Sequence, residues 1–186
     1  YVSGLVRVVE NFRGRKVAVI GDISLDQYTF GEIPKKNPER SGAYLLKAVR
    51  DEFRLGCAAN VANNLSSLGV FPILCGVVGN DSSSDKIVRL CEEAGIFFDK
   101  FTEGETIVKQ RMIDEEYDDY LGRVDRGETN LKPISFEAQE FFYDKIINSE
   151  LEAIVLSDYN KRIFTGDFPR ELIKFSLEKN IFVAAA

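Results

Sequence analysis

Histidine is absent from this chain, and that absence removes more chemistry than any other feature of its composition. Without an imidazole there is no Ser-His-Asp or Cys-His nucleophile, no HExxH zinc site and no mixed Cys/His metal site. Any reaction must run on carboxylates, Lys, Arg, backbone dipoles or a hard cation. Cysteine is scarce as well. Cys57, Cys75 and Cys91 are odd in number and widely spaced, which fits neither a disulfide framework nor a CxxC metal pair, so reduced, packed thiols are expected. Long apolar runs are missing too: the longest, Val70 to Val78, is interrupted by Pro72 and Gly76 and falls short of the roughly 18 residues a membrane span needs. No charged segment followed by an apolar one opens the chain, so a secretory leader is not expected and the cytoplasm is the expected location. Positive charge is also in short supply. Lys and Arg number 24 against 30 Asp and Glu, a net charge of −6, which argues against a nucleic-acid-binding surface.

What is present reads as one globular α/β domain. Hydrophobic residues make up 45% and charged residues 29% of 186 residues, and a chain of this size hides about 70% of its unfolded surface. Lys16 to Ile20 is a short apolar run that stops at Gly21-Asp22, the pattern of a buried strand and a turn. From Cys57 to Gly69 the residues Ala58, Val61, Ala62, Leu65 and Leu68 recur at helical spacing. Phe71 to Val78 predicts a second strand, and Ser82 to Asp85 a capping box for a helix ending at Gly95. A short strand at Ile96 to Phe98 follows, then a helix capped by Ser135, a strand from Ala153 to Leu156, a helix opened by Pro169 and a strand beginning at Ile181 to Val183. This alternation predicts a parallel sheet with helices on both faces. Two stretches break it. Gln27 to Leu55 and Thr106 to Asp125 carry period-2 patterns and predict antiparallel strands that form a small lid sheet, with Pro34 to Pro38 as a loop in the first.

Ligands of open α/β sheets bind beyond the carboxyl ends of the strands. Three predicted ends carry polar groups: Gly21-Asp22 with Asp26, Gly79-Asn80-Asp81, and Ser157-Asp158-Tyr159. They either converge on a ligand or simply make turns. Gly56, Cys57 and Asn60 stand at the start of a helix, where small residues and free N–H groups admit a ligand or allow tight packing. Lys109 and Arg111, two apart on a predicted strand, share a face that suits a phosphate, and Arg123 with Asp125 repeats the spacing. A solvated strand face is the plainer alternative. Neither GxGxxG nor GxxxxGK[ST] occurs, so dinucleotide oxidoreductases and Walker-type phosphate binders lack their signal.

The segments VAVIGDISLDQY, RLGCAANVANNLSSLG, GVVGND, TIVKQR, GRVD and LSDYNK occur in this order between Val17 and Lys161. Together they resemble the N-terminal half of the ribokinase/phosphofructokinase-B sugar kinases, and within that family most of all the heptose-7-phosphate kinase domain of bacterial ADP-heptose synthases. The resemblance implies a ribokinase-like three-layer α/β sandwich with a parallel central sheet and a β-sheet lid. Residues 1–186 would be the N-terminal part of the kinase domain, with lid segments at about 27–55 and 106–125. It also implies transfer of a phosphoryl group from ATP, with Mg, to O1 of D-glycero-β-D-manno-heptose 7-phosphate. The exposed strands of the lid would need covering, so a homodimer formed through the lid is expected. Asp26 would hold sugar hydroxyls, Gly56 and Asn60 would line the sugar site, and Lys109, Arg111 and Arg123 would face the phosphate end. The family's catalytic Asp belongs to a Gly-Ala-Gly-Asp motif expected past the end of this chain, so no catalytic residue is named. A different sugar substrate, or a sugar-phosphate-binding module without catalysis, stays open. Three positions differ from the family pattern: Cys57 stands for the second of a glycine pair, Asp119-Tyr120 for a Gln pair, and Asn37-Pro38-Glu39-Arg40-Ser41 for a Ser-Pro-Glu-Ala-Pro run.

Overall fold

The computed structural model describes residues 2–34 and 45–186. The expected loop at Lys35, Lys36, Asn37 and Pro38, and the variant run through Ser41, lie outside the described residues. In chain order the elements are α1 (Val2–Glu10), β1 (Lys16–Gly21), β2 (Ile23–Glu32), β3 (Lys47–Cys57), α2 (Ala58–Ser67), β4 (Phe71–Val78), α3 (Ser82–Glu93), β5 (Phe97–Thr102), β6 (Ile107–Asp114), β7 (Asp119–Arg126), α4 (Phe136–Ile147), β8 (Ala153–Ser157), α5 (Phe168–Glu178) and β9 (Phe182–Ala185). No helix among the described residues is long and apolar enough to cross a membrane.

Strands β5-β4-β1-β8-β9 form one sheet, and every pairing in it is parallel. β1 lies at its centre and is apolar on both faces, as a central parallel strand must be. Its residues alternate. Val19 packs with Ala58, Ala62, Leu74 and Ile87 under α2 and α3, whereas Ala18 and Ile20 pack with Phe142, Ile154 and Leu172 under α4 and α5. Those two cores make the three layers. All three cysteines are free and buried; burial pushes the Cys91 thiol up to about 12 and raises the Cys75 thiol as well, so both are inert packing groups.

Strands β3-β2-β6-β7 form the second sheet. Its outer pairs are antiparallel as expected, but β2 and β6 run parallel. β2 leaves the end of β1 with only Asp22 between, and β6 leaves the end of β5 after a short connection. Both depart from the same edge of the parallel sheet, so side by side they point the same way. Other boundaries also differ. α3 is capped by Asp81 rather than by the serine run: its carboxylate accepts from the Ser83 and Ser84 N–H groups, each at 3.0 Å. β5 continues to Thr102, β9 includes Ala184 and Ala185, and α1 forms where the spacing predicts no element.

Candidate functional site

Asp22, Asp81 and Asp158 each accept hydrogen bonds from the backbone, and the first two are the more heavily committed. Asp22 is 5% exposed and accepts three hydrogen bonds from one loop after β8: from the Tyr159 and Lys161 N–H groups at 2.9 and 3.0 Å, and from Ile163 N–H at 3.3 Å. Burial pushes its carboxyl up from the usual range, against the pull of those amides. Asp81 caps α3 and also accepts from Thr106 N–H at 3.0 Å. Asp158 is exposed and accepts from Asn160 N–H at 2.7 Å. Asp22, Asp81 and Asp158 therefore serve as turns and ties, the plainer of the two readings for these strand ends, while Asp26 is held apart from them on the second sheet. Asp22 fastens the 159–163 loop over the end of β1. From the other side, Lys161 Nζ meets Glu128 Oε2 at 2.6 Å.

The second sheet gathers the remaining residues. Ser24, Asp26 and Tyr28 alternate on β2, and the register puts Gly56 opposite Ser24, Arg54 and Lys109 on either side of Asp26, and Arg111 beside Tyr28. Arg111 Nη1 lies 3.2 Å from Asp26 Oδ2, and both side chains are only about a fifth exposed. Solvent screens such a pair less than a surface one. Gly56 is required by close approach, because a Cβ there would meet Ser24 Oγ at 2.2 Å and Asp26 Oδ1 at 2.6 Å. Cys57 has φ of 52°, a region that favours glycine. Its Sγ accepts from Ser24 Oγ at 3.3 Å and from Lys109 Nζ at 3.4 Å. Lys109 Nζ also lies 5.7 Å from the centre of the Tyr159 ring, so this face looks over the carboxyl edge of the parallel sheet.

Asp26, Gly56, Lys109 and Arg111 are thus brought together. Asn60 lies in the first turn of α2, beside Cys57, and its side chain is exposed. Arg123 stands opposite Arg111 in register, but its Nε and Nη2 are held by Asp125 at 2.8 and 2.9 Å. Asp119 and Tyr120 are exposed at the start of β7, opposite Asp114 and Ile113. Ser24, Tyr28 and Arg54 were not singled out in the sequence, although the period of two from Asp26 and Gly56 points to each of them. A separate cavity of about 420 Å³ lies between the ends of β1 and β4 and the connections at 103–107 and 127–134; none of the six expected site residues lines it. Among the described residues no group of three or more acidic or thiol side chains could hold a metal ion.

No protein-family model matches the chain. Over 168 residues, 86% of the chain, it is 33% identical to bifunctional protein HldE of Helicobacter pylori, of which the match covers 34%. Over 156 residues, 83% of the chain, it is 35% identical to D-beta-D-heptose 7-phosphate kinase of Bordetella bronchiseptica, of which it covers 48%. The tetrameric inhibited form of phosphofructokinase-2 from Escherichia coli has the same fold, with a TM-score of 0.67 at 17% identity over 92% of this chain and 54% of that one. Over most of its length the chain is thus similar to heptose 7-phosphate kinases, and it shares the fold of the ribokinase/phosphofructokinase-B sugar kinases. The chain spans between a third and a half of the length of the curated relatives named. It carries a parallel sheet together with a small second sheet, and Ser24, Asp26, Gly56, Cys57 and Lys109 cluster on the second sheet, with Lys109 facing Tyr159 after β8.

Proposed function

We propose that this chain is the substrate-binding part of an ATP-dependent, magnesium-dependent sugar-phosphate kinase of the cytoplasm, with the second sheet as its lid over residues of about 27–55 and 106–125. The substrate of the proposal is D-glycero-β-D-manno-heptose 7-phosphate, phosphorylated on O1 as a step in making ADP-heptose. The Asp26–Arg111 pair carries the reading: an acceptor for hydroxyls and a donor for phosphate stand 3.2 Å apart on one half-buried face. Asp26 accepts hydrogen bonds from sugar hydroxyls, and Gly56 leaves it the room to do so. Asn60 offers both a donor and an acceptor at the rim. Lys109 and Arg111 meet the phosphate end, and Arg123 joins them by exchanging Asp125 for the ligand.

Phosphoryl transfer is catalysed by positioning and by stabilising the developing charge. The residues of this chain supply the positioning of the acceptor sugar; none is assigned to ATP, to magnesium or to a catalytic base. Cys57 favours a second reading, a related sugar phosphate, because its side chain occupies space beside Ser24 and Lys109 that a glycine would leave open. A dimer through the lid belongs to the same proposal. Calorimetric titration tests the substrate. D-glycero-β-D-manno-heptose 7-phosphate is expected to bind more tightly than the same heptose without phosphate, and Arg111→Ala is expected to weaken the phosphorylated sugar by about 1.5 to 3 kcal/mol, the range for a charge-assisted bond. Tighter binding of fructose 6-phosphate would favour the second reading, and no binding of any sugar phosphate would overturn both.

A further inference from the structure

On the sheet face that carries Asp26, one aromatic ring organises two cations from different strands. Tyr28 of β2 lies between Arg54 of β3 and Arg111 of β6, whose Cζ atoms are 4.5 and 5.1 Å from the ring centre. Attraction to the ring faces restrains both guanidinium groups and lowers the entropy lost when they grip a ligand. Their charges are unequally met. Arg111 has Asp26 to itself, whereas Arg54 shares Glu52 with Arg50: the Arg54 Nη2 to Glu52 Oε2 distance is 2.9 Å, and Arg50 holds the other oxygen. Three cations, Arg54, Lys109 and Arg111, therefore face one unshared carboxylate and one shared one. Arg123 differs, since Asp125 occupies its fork at two nitrogens.

The geometry points to Arg54 as a second phosphate-binding residue, which with Arg111 grips the monoester phosphate of the substrate from both sides of Tyr28. This rests on the reading that the substrate is a phosphorylated sugar, and it adds Arg54 to Lys109, Arg111 and Arg123 as a guanidinium that reaches the phosphate without first giving up a carboxylate held at two nitrogens. A phosphate monoester carries three terminal oxygens and close to two negative charges, so two forks are the donor set that fits it; a neutral hydroxyl has one acceptor oxygen and no charge to match them.

Two measurements on the folded protein test this. In calorimetric titrations Arg54→Gln is expected to weaken heptose 7-phosphate about tenfold or more, the effect of losing a charge-assisted pair, and to leave the unphosphorylated heptose unchanged. Arg123→Gln is expected to weaken the phosphorylated sugar less than Arg54→Gln does. In ¹⁵N NMR of arginine side chains, inorganic phosphate is expected to shift the Nε signals of Arg54 and Arg111 with one dissociation constant. Wild-type affinity in Arg54→Gln, or an Arg111 signal that moves while Arg54 does not, would overturn the assignment. Should both signals follow phosphate while no sugar phosphate binds, the sugar reading would fail and the Arg54–Arg111 grip would stand.

Discussion

Gly56 shows how a residue without a side chain sets the chemistry of its neighbours. The clash that a methyl group would meet there is with the ends of two side chains, Ser24 Oγ and Asp26 Oδ1, and not with the backbone. Gly56→Ala should therefore displace the Asp26 carboxylate from Arg111 at small structural expense. The expected outcome is a stability loss of no more than about 1–2 kcal/mol in urea denaturation, within the range for overpacking, together with loss of the Asp26-dependent part of sugar binding in calorimetry. Gly21 is the contrast, because a Cβ there would strike the Ser157 carbonyl oxygen at 2.2 Å and force β1 and β8 apart. At this scale the sequence was informative for charged pairs on one strand: Lys109 and Arg111 do share a face with Asp26. It was less so for Arg123, since the choice between a ligand and the neighbouring Asp125 is made by side-chain geometry that spacing does not encode.

At the scale of elements, α3 illustrates a cap that also ties two units together. Asp81 accepts from Ser83 and Ser84 at the helix start and from Thr106 at the entrance to β6. Desolvation pushes its carboxyl up, but the Thr106, Ser84 and Ser83 donors together outweigh it and hold the folded value below the usual 3.8. A depressed carboxyl stabilises the fold above the unfolded value and loses that contribution as pH falls through the folded one. Asp81→Ala is expected to cost about 1–2 kcal/mol at neutral pH, as for other N-caps, and the gap to the wild type should close only below pH 3.8, as measured by thermal unfolding across an acid series. The capping box read from Ser82 to Asp85 missed this by one residue, because Asp81 and Ser82 are both good cap residues and the decision falls to the Thr106 contact. The parallel β2–β6 pair was hidden for a similar reason. Period-2 patterning tells which face of a strand is buried but not the direction of its neighbour, and here direction follows from where each strand leaves the first sheet.

For the whole molecule, the alternation of strands and helices was enough to read the three-layer architecture, since β1 carries opposite cores on alternate residues. The two edges of the parallel sheet are unlike each other. Both expose a phenylalanine, Phe97 and Phe182, but β5 also presents Lys100, a charge of the kind that discourages edge pairing, whereas β9 carries none.

The grip of Asp22 on the 159–163 loop bears on how fast the molecule comes apart. Its three hydrogen bonds join residues separated by 137, 139 and 141 positions. Contacts this distant close the largest loops and form only after β1 and β8 are paired, so they should be missing from the folding transition state. Asp22→Asn keeps the size but offers an amino group to at least one of the three amides. Stopped-flow measurements are expected to show unfolding faster by about tenfold or more with refolding nearly unchanged, the behaviour of a position with a φ-value near zero. The carboxylate would then act as a kinetic latch, delaying the opening of the sheet without helping to assemble it.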